Sequence, residues 1–474
     1  MSLVDCRGVP VSTRNVRCLQ QYEQAVELAV GYYLDPLAIL QEILEDDAQF
    51  AAAHCLRAAL MLTATDKSVL PMLRESVEAI ESLGRRAHER ERAHAAAARA
   101  WLQGDFAGSI RSYGDILHDY PHDLVALQTA HIGDFLLGES TMLRDRIAQV
   151  LPQWDESIPG YSYVLGMYAF GLEETGAYSR AEDIGRRALE LNGRDPWAVH
   201  AVAHVMEMQG RLREGIDFLG AHENAWARNN AFAFHNWWHL ALFYLDIGDT
   251  GQVLALYDAK VRTASSQAPL EMIDASALLW RLHIRGVDVG ERWRALADAW
   301  QPAAEDAFYA FNDVHAIMAF AGAHRLGLAR KTIAAMERQA AGTHTNALMT
   351  REVGLPVAQA VISFALGHYA ECIESLLPIR TIAHRFGGSH AQRDLIHLTL
   401  VEAALRAGKI KLARALVAER TQLKAASPFN WQLSARVSDA IGEADRAARA
   451  RESAETRRRA HFAGLGAWGV GPGS

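Results

Sequence analysis

The sequence lacks the marks of disulfide-rich, zinc-ribbon and membrane-spanning proteins. Only four of its 474 residues are cysteines, and none of these forms a Cys-x-x-Cys pair. This scattering is typical of reduced thiols, so we expect a cytoplasmic protein without a disulfide framework. No run of about eighteen apolar residues occurs, and charges and a proline replace the apolar core of a signal peptide near the N-terminus. We therefore expect no membrane partner.

Basic residues are also in deficit. Lysine and arginine number 48 against 56 aspartates and glutamates, which gives a net charge of -8. Proteins that bind nucleic acid usually carry a basic surplus or a basic stripe. The charge balance therefore predicts that nucleic acid is not a partner.

Strand signals are nearly absent, and helix signals take their place. The chain has no Asn-Gly or Asp-Gly hairpin turn, and alanine, leucine, glutamate and arginine dominate it. Apolar residues recur at three- and four-residue steps. These patterns predict an all-α protein.

A repeat runs through the chain. Two helices meet at Gly176 and two more at Gly210, and these glycines are 34 residues apart, which is the tetratricopeptide period. Trp237, Leu240, Ala241 and Tyr244 of the next unit come close to the W-x2-L-G-x2-Y signature. A single repeat cannot bury its own apolar face, so neighbours must stack.

The predicted fold is a tetratricopeptide-like α-solenoid, a closed or strongly curved superhelix of about nine or ten helix pairs. We assign residues 1–448 to one superhelical domain and 449–474 to a basic, then glycine-rich C-terminal tail that is partly disordered. Residues 141–160, which contain Pro152 and Pro159, are expected to be a connector.

Two histidine pairs stand out in this pattern. His200 and His204 share one helix face with Glu207, and His235 and His239 have the same spacing on the next repeat. The repeat register places His200, His204, Glu207 and His235 toward the inner groove. It places His239 nearer the boundary between repeats. Because adjacent first helices stack side by side, the two pairs should be neighbours.

Three interpretations of the histidines stay open. They could be hydrogen-bonded polar groups on a solvated groove wall, or a pocket where histidines and a carboxylate bind a small molecule and move protons. The third is a metal site, since two histidine pairs and a glutamate supply ligands for zinc, iron or manganese. The H-E-x-x-H and E-x-x-H patterns are missing, so we assign no metal, and the sequence identifies no cofactor. Trp238 occupies a groove-side position and is a candidate pocket wall, although packing in the core also explains it.

Two further groups of polar residues lie at predicted helix starts. The motif FNDVHAIMAF contains Asn312, Asp313 and His315, where Asp313 could simply cap its helix. The motif GGSHAQRD contains Gln392, Arg393 and Asp394. Glycines before a helix N-terminus offer backbone donors to an anion, and an arginine adds a fork for a carboxylate; the alternative is a serine-capped helix after a tight turn.

The order of several long motifs resembles the tetratricopeptide repeat protein 38 family over nearly the whole chain. These motifs include YSYVLGMYAFGLEETGAYSRAE, DPWAVHAVAHVMEMQGR, HNWWHLALFYLDIGD, FNDVHAIMAF and GGSHAQRD. The resemblance implies a tetratricopeptide-like superhelix in a soluble protein and implies little about function. The family pattern carries histidines matching the four described above and the Gln-Arg-Asp at 392–394, whereas His390 is less typical of it.

The leading functional hypothesis is an internal pocket that binds, and transforms, a small polar or anionic molecule. The candidate catalytic residues are His200, His204, Glu207, His235, His239, Asp313 and His315, and the candidate ligand-binding residues are Trp238, Asn312, Gln392, Arg393 and Asp394. Residues from the later repeats join this site only if the superhelix closes. The alternative is a non-enzymatic scaffold that binds a peptide or a partner protein in its groove, and the sequence does not decide between an enzyme and a scaffold.

Overall fold

The computed structural model describes residues 3–262 and 266–462. A two-stranded antiparallel hairpin, β1 (Leu3–Val4) with β2 (Pro10–Val11), and one isolated bridge between Tyr33 and Asn230 are the β structure of these residues. The remainder is helices and their connections, so the prediction of an all-α protein is confirmed.

The first half of the chain forms helices α1 (Val16–Val30), α2 (Pro36–Asp46), α3 (Ala51–Thr63), α4 (Leu70–Leu83), α5 (Glu89–Leu102), α6 (Phe106–Asp119), α7 (Leu124–Leu137), α8 (Ser140–Val150), α9 (Tyr161–Glu174), α10 (Tyr178–Leu191), α11 (Pro196–Gln209), α12 (Leu212–Ala221), α13 (Glu223–Trp226) and α14 (Ala233–Ile247). Short 3-10 turns lie at Lys67–Val69, Gly84–Arg86 and Leu151–Gln153.

The second half forms α15 (Thr250–Leu256), α16 (Pro269–Ile284), α17 (Arg292–Trp300), α18 (Ala310–Gly322), α19 (Leu326–Ala340), α20 (Thr345–Met349), α21 (Leu355–Ala365), α22 (Tyr369–Leu376), α23 (His390–Arg406), α24 (Ile410–Leu423), α25 (Pro428–Ala440) and α26 (Ala444–Phe462). The 3-10 turns Gln301–Ala303 and Ala383–Phe386 and the π-helical turns Tyr257–Val261 and Thr350–Gly354 lie between them.

Local signals in the sequence begin and end the helices that carry the histidines. Asp195 caps α11 by accepting hydrogen bonds from two backbone amides of its first turn, and Pro196 occupies the first helical position. Gly210 ends α11 at a φ of 69°, and Gly248 ends α14 at 94°. Glycine adopts this left-handed conformation without a Cβ clash, and the chain can therefore turn into the second helix of each pair.

Most helices that are consecutive in the chain pack as neighbours. Helix α9 packs against α8 and α10, and α11 packs against α9, α10, α12 and α14. The first helices of successive repeats therefore stand side by side, and each repeat buries its apolar face on the next. This arrangement confirms the predicted α-solenoid.

The superhelix curves until late repeats contact early ones. The Tyr309 hydroxyl donates to the Leu136 carbonyl at 2.8 Å, and the His390 amide donates to Glu174 Oε1 at 2.9 Å. The Thr345 amide donates to the Gly104 carbonyl at 3.1 Å. Every residue of α11 from Pro196 to Glu207 is buried.

Two segments differ from their expected form. The prediction of a connector at 141–160 is wrong for its first half, because α8 runs to Val150 and buries Leu143 and Ile147. Pro152 lies in the short turn that follows α8, and Pro159 lies beyond that turn. The predicted boundary at residue 449 falls inside α26, whose Ala450 and Ala454 are buried. The glycine-rich end, 463–474, lies outside the described residues.

No helix in the described ranges combines the length and apolar character needed to cross a membrane.

Candidate functional site

The structure brings the two histidine pairs of the sequence into one buried cluster. The rings of His204 and His239 lie 4.3 Å apart between centroids, and those of His200 and His235 lie 4.8 Å apart. One nitrogen from each of the four rings lies within 4.8 Å of the nitrogens of the other three. We call these residues the four-histidine cluster. Helices α11 and α14 each contribute one pair at i, i+4 spacing, and the packing of these helices brings the pairs together.

Buried carboxylates face the outer nitrogens of three of these rings. His235 Nδ1 donates to Asp274 Oδ2 at 2.6 Å, and His239 Nδ1 donates to Glu207 Oε2 at 2.8 Å. His204 Nδ1 lies 3.4 Å from Glu173 Oε2. A carboxylate behind an imidazole fixes the orientation of the ring and places its proton on Nδ1.

The inner nitrogens point at one another. His200 Nε2 and His235 Nε2 are 3.1 Å apart. Within the part of the chain that the structure describes, His204 Nε2 and His239 Nε2 are buried without any hydrogen-bond partner. A buried polar atom without a partner costs about 1–3 kcal/mol. The centre of the cluster therefore favours a group that several imidazole lone pairs can share.

Burial keeps the imidazoles neutral. Loss of hydration lowers the pKa of His204 to about 4. It lowers the pKa of His200 and His239 well below the ordinary histidine value, and repulsion from the neighbouring histidines adds to this effect. At neutral pH these three rings are uncharged and can each offer a lone pair, which is the form that binds a metal or accepts a proton.

The surroundings of the cluster are acidic. Glu173 and Glu174 at the end of α9 are buried, and burial together with repulsion from Glu174 raises the pKa of Glu173 well above its ordinary value. Arg393 lies 3.4 Å from Glu174 Oε2, and His390 Nε2 lies 3.6 Å from the same oxygen. The carboxylate of Glu174 therefore joins α23 to the site.

A cavity of about 250 Å³ adjoins the cluster. His200, His235, Asp274 and Gln392 line it, together with the polar side chains of Thr63, Gln128 and Thr129. The rest of its wall is mainly apolar, with Leu56, Leu60, Ile132, Phe135, Trp197, Phe232 and Phe234 among the lining side chains. Leu270 also lines it and is 38% exposed, so the cavity reaches the surface there.

Two other candidate residues of the sequence lie at this site. Trp238 is fully buried and stacks on His235, with ring centroids 5.3 Å apart and planes 14° apart, while the Arg281 guanidinium covers the Trp238 ring. Gln392 Nε2 lies 3.5 Å from Asp274 Oδ1, and its side chain completes a capping box with Ser389. Trp238 thus supports the ring of His235, and Gln392 lines the cavity.

The residues of FNDVHAIMAF lie elsewhere. Asn312 and Asp313 line a separate cavity of about 380 Å³. Asn312 Nδ2 donates to the Thr65 carbonyl at 2.9 Å, and burial raises the pKa of Asp313 to about 8. His315 Nδ1 donates to the Phe311 carbonyl at 2.7 Å, one turn earlier in the same helix. The structure does not bring these three residues into the four-histidine cluster.

Arg393 and Asp394 point in different directions from the same helix start. Arg393 reaches Glu174 and also donates to the Gly388 carbonyl. Asp394 forms a two-pronged ion pair with Arg420, which lowers the pKa of Asp394 well below its ordinary value. Arg393 is therefore near the cluster, whereas Asp394 is held by its own partner.

Sequence reasoning missed Asp274, Glu173 and Glu174. Asp274 interrupts an otherwise apolar stretch of α16, and Glu173 and Glu174 end the apolar helix α9. A carboxylate inside an apolar helix segment is a signal that could have identified all three, because such a group is buried only with a partner.

Two groups of side chains could hold a metal ion within the described ranges. One is the four-histidine cluster, and the other is Glu173, Glu174 and His204. Neutral imidazoles backed by carboxylates suit metal binding and also proton transfer.

Comparison with known proteins finds similar solved structures but no matching family model. A human IFIT1 dimer with m7Gppp-AAAA is similar with a TM-score of 0.41 and 14% identity, covering 92% of this chain and 94% of the other. A monomeric IFIT1 mutant with Gppp-AAAA gives a TM-score of 0.38 at 14% identity, covering 92% and 99% of the two chains.

These neighbours also correct one prediction. The expectation that nucleic acid is not a partner is contradicted, since the IFIT1 structures carry capped RNA. The net charge of a whole chain does not report the charge inside a groove, so it was a poor basis for excluding a ligand class.

Proposed function

We propose that this tetratricopeptide-type protein binds a small molecule in the cavity beside the four-histidine cluster and acts on it through the histidines. The observation that carries the proposal is that the cavity and the cluster share His200 and His235, and that Asp274, the hydrogen-bond partner of His235, also lines the cavity. Apolar pockets with a few convergent polar groups and shifted pKa values are typical of sites for small molecules.

The lining of the cavity supports a partly apolar ligand rather than the small polar or anionic molecule expected from the sequence. Aromatic and aliphatic side chains such as Phe135, Phe232 and Ile132 surround most of it. An engineered cavity of about 150 Å³ with such a lining binds benzene. The present cavity of about 250 Å³ therefore suits a somewhat larger molecule, whose polar end would face His200 and His235.

The carboxylate partner of His235 supports a chemical role. Asp274 holds the His235 ring from behind in the way that a general base is commonly oriented. His200 lines the cavity and lies against His235, so a proton could pass between the ligand and the cluster. We assign ligand contact and proton transfer to this pair, and we place His204, His239 and Glu207 behind it.

Burial of the inner helix faces supports this proposal over a peptide-binding scaffold. An extended peptide needs an open groove, but α11 is buried from Pro196 to Glu207. Gln392 and Arg393 belong to the proposed site through Asp274 and Glu174. Asn312, Asp313 and His315 are left out because they adjoin a different part of the molecule.

The proposal is tested by a substitution that places a large side chain in the cavity. Ala59 lines it, so Ala59→Phe should occupy much of its volume, whereas Ala415→Phe places the same ring at an exposed position of α24. Extracts of the purified chain are analysed by mass spectrometry for a retained small molecule, and binding of indole and phenylacetate is measured by calorimetry. We expect the wild type and Ala415→Phe to bind and Ala59→Phe, folded by circular dichroism, to lose binding. Equal binding by all three chains, or binding by none, would overturn the proposal.

We also propose that the chain belongs to the tetratricopeptide repeat protein 38 family. The support is the position of the shared polar motifs, since the histidines of HAVAH and HNWWH form one cluster. A crystal structure of a member of that family would test this. The histidines at the matching positions should meet in one buried cluster, and separate, exposed histidines there would contradict the assignment.

A further inference from the structure

We propose that the four-histidine cluster is the binding site for a single divalent first-row transition-metal ion, with zinc as the best fit. The ligands are His200, His204, His235 and His239, each through Nε2. Imidazole nitrogens suit zinc, copper, iron and nickel, and four ligands without a thiolate or a water match tetrahedral zinc. The site does not depend on a ligand in the neighbouring cavity. A bound ion would occupy the Nε2 lone pairs of His200 and His235, so a chain that holds it would keep ligand binding in the cavity but lose proton transfer by these two rings.

The spacing of the nitrogens fits such an ion. Zinc–nitrogen bonds of about 2.0–2.1 Å in a tetrahedron place neighbouring nitrogens about 3.3 Å apart. His200 Nε2 and His235 Nε2 are already 3.1 Å apart. The donor atoms of all four rings lie within 4.8 Å of one another, so ring movements on the order of 1 Å close the shell.

The proton positions of the rings point the lone pairs inward. His235 and His239 donate from Nδ1 to Asp274 and Glu207, which leaves an unprotonated Nε2 on each neutral ring. His204 Nδ1 lies 3.4 Å from Glu173 Oε2 but forms no hydrogen bond with it or with any other described residue. Histidines that bind metals in proteins almost always donate their second nitrogen to a carboxylate, a carbonyl or water. The cluster shows this outer carboxylate partner for His235 and His239, and a third carboxylate, that of Glu173, lies near His204.

A network of hydrogen bonds among the rings does not account for the cluster as well. A neutral imidazole has one donor and one acceptor, and the carboxylates already take the donors of His235 and His239. His200 Nε2 can donate to His235 Nε2, but His239 Nε2 and His204 Nε2 remain buried without a partner among the described residues. One cation accepts all of these lone pairs at once.

The charges around the cluster favour a cation. Its buried carboxylates are Glu173, Glu174, Glu207 and Asp274, and the guanidiniums among them are Arg281 and Arg393. Burial holds Glu173 neutral, so the other three carboxylates exceed the two guanidiniums by one negative charge. A net negative charge in this water-poor region favours a cation at the centre.

The experiment uses the full chain without a histidine tag. The protein is analysed for metals by mass spectrometry as purified, stripped with a chelator, and titrated with Zn²⁺ and with Co²⁺ as a visible probe of geometry. We expect one ion per chain and the intense d–d absorption of tetrahedral cobalt. X-ray absorption at the zinc edge should show only nitrogen neighbours at about 2.0 Å with the outer-shell pattern of imidazole.

Two sets of variants locate the ion. His204→Gln with His239→Gln should reduce affinity more than about 100-fold, while His118→Gln, an exposed histidine on α6, should bind like the wild type. Asp274→Asn keeps an acceptor for His235 but loses the charge, and it should weaken binding about 10–100-fold in a folded protein. Failure of the stripped wild type to bind one Zn²⁺ or Co²⁺, or full affinity in the double variant, would overturn the proposal. A chain that binds the ion but fails the cavity test would retain this site and lose only the proposed function.

Discussion

Two buried clusters of histidine and carboxylate in this protein are built in opposite ways. In the first, which we call the Asp123 cluster, Arg90 and His94 both reach Asp123 Oδ2, at 2.6 and 2.7 Å. In the four-histidine cluster the carboxylates lie on the outside, and one nitrogen from each imidazole lies within 4.8 Å of the other three. The first has its counter-ion at its centre, whereas the second lacks one.

This difference separates a structural cluster from a candidate site. Asp123 also accepts a hydrogen bond from the Ala126 amide and so caps α7. Burial alone would raise the pKa of Asp123, but Arg90 and His94 hold it well below its ordinary value. Its role in joining α5 to α7 is therefore explained by the chain alone. The four-histidine cluster contains three neutral rings with depressed pKa values, and two of them, His204 and His239, have an inner nitrogen without a partner among the described residues.

The largest expected effect is on stability at the Asp123 cluster. Asp123→Asn leaves the Arg90 charge buried without its counter-ion, and breaking a buried pair in this way costs about 3–5 kcal/mol. We expect a large drop in the urea midpoint with unchanged metal content. Asp115→Asn, at an exposed position on α6, is the matched control and should have little effect. Loss of metal from Asp123→Asn would break the distinction between the two clusters.

The next effect concerns the proposed ion. An ion that binds only the folded chain adds about 2.7 kcal/mol of stability when its free concentration is 100 times its Kd. Removing it with a chelator should therefore lower the unfolding temperature of the wild type and of Asp123→Asn by similar amounts. The His204→Gln, His239→Gln chain should not respond, and an equal response from that chain would place the ion elsewhere.

The two clusters should fail in different pH ranges in metal-free protein. Burial lowers the pKa of His204 to about 4, so the unfolded chain takes up a proton first as the pH falls below about 6.5. Stability should therefore fall between about pH 6.5 and 4, by about 1.4 kcal/mol per pH unit for each such histidine.

The Asp123 contribution has a lower window. The pKa of Asp123 is depressed in the folded chain, so its contribution is present above the unfolded value of about 3.9 and is lost as the pH falls below that value. Urea unfolding at a series of pH values checks both windows. His204→Gln should reduce the loss of stability between about pH 6.5 and 4 and leave the loss below about pH 3.9 unchanged. The reverse result would contradict the assignment of the two pH windows to the two clusters.

The smallest effect is expected at Asp313, which has neither an internal counter-ion nor a ring of histidines. Burial raises its pKa to about 8, and its Oδ2 has no hydrogen-bond partner among the described residues. Between about pH 4 and 8 only the unfolded chain ionises this group, so folding becomes less favourable as pH rises. Asp313→Asn should stabilise the protein by about 0.5–2 kcal/mol at neutral pH. Calorimetry measures the change in the free energy of unfolding. A large loss of stability would show that the Asp313 carboxyl makes a stabilising interaction in the folded chain.

The sequence alone predicted the helices and the histidine pairs. Period-34 spacing and turn glycines such as Gly210 and Gly248 indicated stacked helix pairs, and these are local signals because the backbone needs a left-handed residue where each helix ends. The i, i+4 spacing of His200 with His204 placed them on one face of a helix without any knowledge of the tertiary structure.

Burial, partners and membership of the site were decided by the tertiary structure. Asp274 meets His235 across 39 residues, and Glu174 meets the His390 amide across 216. Asp313 goes to a different cavity although its motif looked equally suited to a site. Each repeat adds a small rotation to the superhelix, and those rotations accumulate over many repeats. Spacing along the chain fixes which side chains share a helix face, but only the accumulated curvature determines which distant faces meet.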